Sequence, residues 1–214
     1  MTSTSWQPVE PDLDSVFEQH DRPLSRLAAG EIPAIVLRNA WPKEACAALV
    51  EQLIADELLY DPHQPIPEKF QKQIIPEGYY REGTSRAATL AWKEQQTVGK
   101  ARIDIGTSLG YRGSDRETYF RHSAETIKTF ERFFSGRGNP IDLLYCRLEQ
   151  LAVEKIVRVA REPDGQLYGP AIIRAHYGGY TYRPHFDSVR LREKRDTYAV
   201  SQFEHQFAGV LVLQ

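Results

Sequence analysis

The hydrophobic period of the chain changes from 3.6 to 2 after the turn Pro163-Asp164-Gly165, and this change constrains the fold more than any other feature. Apolar residues before the turn recur at three- and four-residue spacing, which predicts amphipathic helices. These helices cover residues 42–58, 116–135 and 141–161. The alternating pattern after the turn predicts strands. These strands cover residues 167–177, 180–187 and 203–214. The sequence therefore predicts an α+β protein with helices in front of a sheet.

The segments before the first long helix predict an arm and a strand. Residues 1–30 are rich in Pro, Asp and Ser, and we interpret them as an N-terminal arm with a short helix over Ser15–Ala29. The apolar run Ile32–Asn39 predicts a buried strand. Residues 59–85 contain four prolines and predict a long irregular loop, a type of segment that is often functional. We expect residues 31–214 to form one domain.

The composition excludes several classes of partner. The 27 basic and 29 acidic residues give a net charge of −2, so neither a nucleic-acid surface nor a polybasic membrane anchor is expected. Two cysteines, Cys46 and Cys146, form no disulfide framework, which is typical of a reducing compartment. The first residues are polar and acidic, unlike a signal peptide. We expect a cytoplasmic protein, and its oligomeric state is left open.

His185 and Asp187 are the residues with the strongest chemical signal. Residues i and i+2 of a strand point to the same face, so both side chains can reach one ion. An imidazole and a carboxylate begin the ligand set that non-haem Fe(II) oxygenases use, with positions left open for a cosubstrate and O₂. A surface histidine beside a solvated aspartate is the alternative interpretation.

The residues before this pair carry a family resemblance. Tyr177, Gly179, Tyr182 and Pro184 precede His185, and the stretch resembles Y-x-x-G-x-x-Y-x-P-H-x-D of prolyl-4-hydroxylase-like 2-oxoglutarate/Fe(II) dioxygenases. The first tyrosine is displaced by one position, and the other residues are in register. The resemblance extends more generally over residues 30–58 and 165–214, which are also similar to natural-product hydroxylases.

The resemblance implies a fold, a reaction and its cofactors. The implied fold is a double-stranded β-helix (jelly roll, cupin-like) with N-terminal helices packed on it. The implied enzyme uses Fe(II), bound by His185 and Asp187, and 2-oxoglutarate, bound by Tyr177 and Tyr182, with ascorbate as an auxiliary reductant. It hydroxylates a small molecule, a natural product or an amino acid, and converts 2-oxoglutarate to succinate. Halogenating relatives replace the carboxylate by Gly or Ala, so Asp187 favours hydroxylation.

Several alternatives stay open beside this interpretation. Tyr177 and Tyr182 could instead pack as ordinary aromatic residues of a sheet, and for Arg174 we expect a structural ion pair. A zinc-dependent hydrolase would use His176 or His205. A non-catalytic jelly-roll binding or scaffold module is the third function, because neither a distal histidine ligand nor a 2-oxoglutarate-binding arginine is identifiable.

The length of the chain after the metal pair leads to one further expectation. Asp187 is followed by 27 residues in a chain of 214, fewer than the remaining strands of a closed jelly roll require. We therefore expect the oxygenase-like domain to be incomplete at its C-terminus.

Overall fold

The computed structural model of the protein describes residues 6–71, 102–109, 115–177, 187–191 and 194–213. Its helices are α1 (Leu13–Gln19), α2 (Pro23–Ala28), α3 (Lys43–Ala55), α4 (Glu68–Gln71), α5 (Arg116–Phe134), α6 (Pro140–Ala152) and a 3₁₀ helix (Ala199–Gln202). Its strands are β1 (Arg102–Gly106) and β2 (Ile172–His176). The chain divides into two compact units, one of residues 1–48, 136–158 and 207–214, the other of residues 49–135 and 159–206.

The first unit has an apolar core to which the predicted arm contributes. Val9 and Val16 are buried there with Ile32 and Leu151. The single helix predicted over Ser15–Ala29 is wrong, because the chain forms α1 and α2 with a break before Pro23. A proline inside a helix removes a backbone hydrogen bond, whereas the first helical position tolerates it. The boundary of the arm at residue 30 stays a prediction.

The strand predicted over Ile32–Asn39 is wrong. Residues 32–39 contain only an isolated parallel bridge between Ile35 and Val9, in which the Val9 N–H donates to Ala34 O at 3.0 Å. Pro33 has no N–H to donate to a ladder, and Asn39 has a left-handed φ of 52°. The apolar side chain of Ile32 is nevertheless buried as expected.

The three long helices are confirmed, although one of them is shorter than predicted. Helices α3 and α5 cover most of the predicted ranges, and Asp115 caps α5 by accepting the Glu117 N–H at 3.1 Å. The helix predicted to extend to residue 161 ends at Ala152, because Val153 and Glu154 adopt φ values of 44° and 59°. Ile156, which lies within the predicted range of this helix, is 82% exposed.

The second unit contains an aromatic core and the strand pair. Buried side chains from α5 and from the later part of the chain form this core. They are Leu109, Tyr119, Phe120, Tyr168 and Tyr198. Helix α5 and strand β1 are in contact, and β1 lies in a range without a predicted helix or strand. The predicted turn at residues 163–165 is confirmed by a bridge between Arg161 and Leu167.

The predicted sheet is tested only in part. Strand β2 confirms a strand within residues 167–177, and all residues of 180–187 except Asp187 lie outside the described ranges. The strand predicted over 203–214 is wrong for residues 203–213, which form no strand and expose Phe203 and Val210. A strand needs a partner for its backbone hydrogen bonds, and sequence alone does not supply one. The double-stranded β-helix stays a prediction.

Helix length and polarity give one further result. Among the helices in the described ranges, none combines the length and the apolar character that crossing a bilayer would require.

Candidate active site

The antiparallel pair of β1 and β2 leads directly into the predicted metal-binding segment. In its register, Asp104 lies opposite Arg174 and Arg102 lies opposite His176. Because side chains of a strand alternate between faces, these four polar residues share one face of the pair. The other face carries apolar residues of both strands. They are Ile103, Ile105, Ile173 and Ala175.

A compact ion cluster occupies the polar face. Arg102 binds Asp104 in a bidentate manner, with Nε 2.8 Å from Oδ1 and Nη2 2.7 Å from Oδ2. Arg174 Nε lies 3.4 Å from the same Oδ1, which confirms the predicted ion pair of Arg174. The side chains of Arg102 and Asp104 are only 9% and 5% exposed. Two guanidinium groups therefore contact one carboxylate on this face.

His176 stands beside this cluster and is shifted towards its neutral form. Desolvation lowers the pKa of its imidazole below the ordinary value, and the charge of Arg102 lowers the pKa further, while Asp104 opposes the shift. His205, the other histidine of the zinc interpretation, lies in an exposed segment without helix or strand. Within the described ranges, no three His, Cys, Asp or Glu side chains are grouped in a way that could hold a metal ion.

Tyr177 packs against Tyr60 at the end of β2. Their rings are stacked, with centroids 3.9 Å apart and planes at 8°. The Tyr177 hydroxyl donates to Tyr60 O at 2.9 Å and accepts from the Tyr60 N–H at 3.1 Å. Aromatic packing, the alternative interpretation of Tyr177, is therefore present. Its assignment to 2-oxoglutarate stays a prediction.

Tyr60 belongs to the start of the Pro-rich segment (residues 59–85), and it lies at the C-terminal end of β2. It is buried, and its ring also contacts Phe70 of α4 with centroids 5.3 Å apart. Burial raises the pKa of Tyr60 to about 12, so its hydroxyl is protonated at neutral pH. The backbone of Tyr60 is thus fixed next to the residues that precede His185 in sequence.

Asp187 begins a described segment and is exposed, whereas Tyr182 and His185 lie outside the described residues. Two hydrogen bonds of the Val189 backbone hold the segment after Asp187. The Val189 N–H donates to the side-chain Oε1 of Gln206 at 2.8 Å, and Val189 O accepts from the Arg195 N–H at 3.0 Å. Val189 also packs against the aromatic core.

Glu162 is a buried anchor that the sequence did not reveal. Its carboxylate accepts hydrogen bonds from the Tyr168 hydroxyl and from the Ala199 N–H, and it pairs with Arg116 at 3.2 Å. Burial raises the pKa of Glu162, but these three partners outweigh burial and lower the pKa below its ordinary value. The carboxylate of Glu162 therefore connects three parts of the second unit, which are α5, the segment before β2 and the 3₁₀ helix.

Residues 7–205 match the model of a protein family described as carrier-protein-independent halogenase WelO5. The chain belongs to the WelO5 family. No curated protein and no solved structure matches the chain. The WelO5 family lies within the Fe(II)/2-oxoglutarate oxygenase superfamily, which confirms the superfamily inferred from residues 177–187. The family within it is WelO5 rather than a prolyl-4-hydroxylase-like one.

WelO5 membership bears on the cofactors and on the substrate class. The family depends on Fe(II) and 2-oxoglutarate, in agreement with both predictions. Its independence of a carrier protein agrees with the prediction of a small-molecule substrate. Residue chemistry agrees as well, because His185 and Asp187 offer the imidazole nitrogen and carboxylate oxygen that suit Fe(II).

Proposed function

We propose that this member of the WelO5 family is an Fe(II)/2-oxoglutarate-dependent hydroxylase of a small molecule, a natural product or an amino acid. The observation that carries the proposal is His185-x-Asp187 in a chain of this family. In the overall reaction one oxygen atom of O₂ enters a C–H bond of the substrate. The other enters succinate, and CO₂ leaves from 2-oxoglutarate. Iron, when bound, supplies the activation of O₂.

Asp187 supports hydroxylation over halogenation. A carboxylate ligand fills a coordination position that a halide would need, and halogenating relatives have Gly or Ala in its place. Halogenation is the second candidate, because the matching family is described as a halogenase. The two candidates share Fe(II), 2-oxoglutarate and a small-molecule substrate, so the presence or absence of halide chemistry distinguishes them.

The residues around the metal pair have proposed roles of their own. His185 and Asp187 would hold the iron, and Tyr182 would hydrogen-bond 2-oxoglutarate. Tyr177 is the weaker candidate for that cosubstrate, because its hydroxyl already exchanges two hydrogen bonds with Tyr60. We assign to Tyr177 the positioning of the Pro-rich segment. The proposed fold is the double-stranded β-helix, in which the antiparallel pair of β1 and β2 would be one pair of neighbouring strands.

Anaerobic addition of Fe(II) and 2-oxoglutarate to the purified chain tests the proposal. The expected result is the weak visible charge-transfer band of a metal-bound keto acid, present in the wild type and absent from His185→Ala. His205→Ala is the matched control, since His205 is an exposed histidine of the same chain, and it should keep the band. A wild type without a band, or a band that persists in His185→Ala, contradicts the proposal.

The same preparation separates the alternative functions. A folded wild type that shows neither the band nor decarboxylation of 2-oxoglutarate, with or without ascorbate, is what the binding or scaffold module predicts. Stoichiometric zinc in elemental analysis, lost from His176→Ala or His205→Ala, is what the zinc hydrolase predicts.

Chloride distinguishes the two oxygenase reactions. We expect chloride to leave the 2-oxoglutarate titration of the wild type unchanged, because Asp187, as a ligand of the iron, would leave no place for chloride. Asp187→Gly should gain chloride dependence. A wild type whose 2-oxoglutarate titration already depends on chloride would favour halogenation.

A further inference from the structure

The second unit contains a groove along β1 and α5, and the described residues that line it include no predicted site residue. Its volume is about 460 Å³, within the range of small-molecule sites. About half of its wall is apolar, with side chains from β1, α4 and α5. These apolar side chains include Phe70, Ile103, Ile105 and Phe130.

Two polar groups in this wall lack hydrogen-bond partners. Thr107 is 3% exposed, and within the described part of the chain its Oγ1 has no partner. His122 Nδ1 is also buried without a partner there, and both residues line the groove. A buried polar atom without a partner is unfavourable, and native structures contain few of them. Such atoms at the wall of a groove indicate a ligand group that completes their hydrogen bonds.

The backbone on both sides holds Thr107 in place. A Cβ atom on Gly106 would lie 2.8 Å from Ala171 O, and one on Gly169 would lie 2.8 Å from Thr107 O. Only glycine permits contacts this close. Neighbouring backbone therefore packs closely against the chain at Gly106 and at Thr107.

Two of the three carboxylates that line the groove have cationic partners, and the third is exposed to solvent. Asp104 is bound by Arg102 and Arg174, and Glu57 pairs with Lys69 at 2.7 Å. Lining carboxylates that already have cationic partners do not call for a charged ligand. A threonine hydroxyl both donates and accepts, and an imidazole nitrogen does one or the other. The complementary group is therefore uncharged and both donates and accepts, as a hydroxyl does.

We propose that this groove binds a neutral small molecule with an apolar part, through a hydroxyl group that pairs with Thr107 and His122. The proposal goes beyond the proposed function, because none of the described residues that line the groove belongs to residues 177–187 and iron is not involved. Its test is therefore independent of the metal pair.

Titration of the ¹⁵N-labelled full chain with p-cresol, followed by NMR, tests the proposal. Toluene, which lacks the hydroxyl, and 4-methylbenzoate, which carries a charge, are the comparison probes. We expect p-cresol to perturb Thr107 and His122 and to bind more tightly than either comparison probe. Thr107→Val should weaken p-cresol roughly 5- to 30-fold, to the level of toluene, and leave toluene unchanged.

Thr126→Val is the matched control. Thr126 is also buried in the groove wall, but its hydroxyl already donates to His122 O at 2.8 Å. This variant should keep the preference for p-cresol. His122→Phe should lose the preference, which provides a second test should Thr107→Val be poorly folded. Equal binding of p-cresol and toluene, no binding of p-cresol, or an unchanged preference in both Thr107→Val and His122→Phe overturns the proposal.

Discussion

Asp104 connects the polar face of the β1–β2 pair, because two arginines contact its carboxylate. We expect Asp104→Asn to lower the free energy of unfolding by about 3 kcal/mol, since it removes one partner of a buried, hydrogen-bonded charge pair. Urea denaturation monitored by circular dichroism measures this loss.

Asp164→Asn is the control for that change. Asp164 also pairs with an arginine, Arg116, at 3.2 Å, but its side chain is 49% exposed. An exposed pair contributes less than about 1 kcal/mol. If both variants lose the same free energy of unfolding, burial does not explain the contribution of Asp104.

The buried hydroxyl of Thr107 should lower the stability of the ligand-free protein. Thr107→Val removes a buried hydroxyl that has no partner in the described residues and keeps nearly the same volume. We expect the ligand-free protein to gain about 1 kcal/mol, because the desolvation penalty of that hydroxyl disappears. Thermal unfolding of the two proteins, with no small molecule added, measures the gain. If Thr107→Val is less stable than the wild type, the Thr107 hydroxyl forms a hydrogen bond in the ligand-free protein, which contradicts this prediction.

At the scale of elements, the sequence predicted features that depend on residue spacing within one helix. It missed features that depend on contacts with other segments of the chain. The apolar stripes of α3 and α5 depend on spacing within one helix, so their existence followed from the sequence. The early end of α6 depends on left-handed φ values at Val153 and Glu154, which neither residue type suggests. The terminal run from Phe203 onward has strand-like alternation and no strand, because alternation does not provide a neighbouring strand.

Gly106 determines how closely β1 approaches its neighbours. Its φ is 107°, and a Cβ atom there would meet backbone at 2.8 Å. We expect Gly106→Ala to destabilise the protein by about 3 kcal/mol, from backbone strain together with this collision. Chemical denaturation measures the loss.

Gly165→Ala isolates the backbone contribution. Gly165 has a φ of 91°, but a Cβ atom there would meet nothing within 4 Å. This variant should lose only about 1 kcal/mol. If the two alanine variants are equally unstable, close packing does not explain the requirement at Gly106.

At the scale of the whole chain, the candidate site divides into a part that sequence could predict and a part that it could not. His185 and Asp187 are two residues apart, so their relation is local and visible. The pairing of Asp104 with Arg174 joins residues far apart in the chain, and only the strand register brings them together. In Arg102–Gly106, Arg102 and Asp104 alternate with isoleucines, and this alternation was the sequence signal for the polar face of the β1–β2 pair.

The stability of the second unit should depend on pH through Glu162. Its folded-state pKa lies below the ordinary value of 4.5, so the ionised carboxylate stabilises the fold above that pH. This contribution is lost as pH falls through the folded-state pKa. We expect Glu162→Gln to be less stable than the wild type at pH 7, with a difference that narrows below about pH 4.

Glu57→Gln is the control, because Glu57 pairs with Lys69 at the surface and both side chains are substantially exposed. Its effect should be small across the same range. Urea midpoints measured from pH 3 to 7 check both variants, and a constant difference for Glu162→Gln would contradict the role of its charge.

The contact between Tyr60 and Tyr177 has a consequence for the kinetics of folding. It joins positions 117 residues apart. Closing a loop of that length carries a large entropic penalty before any stacking or hydrogen bonding is gained. Contacts of high sequence separation slow folding, whereas the turns of α3 and α5 form from near neighbours. We therefore expect the helices to form early and the strand end that precedes His185 to be fixed late.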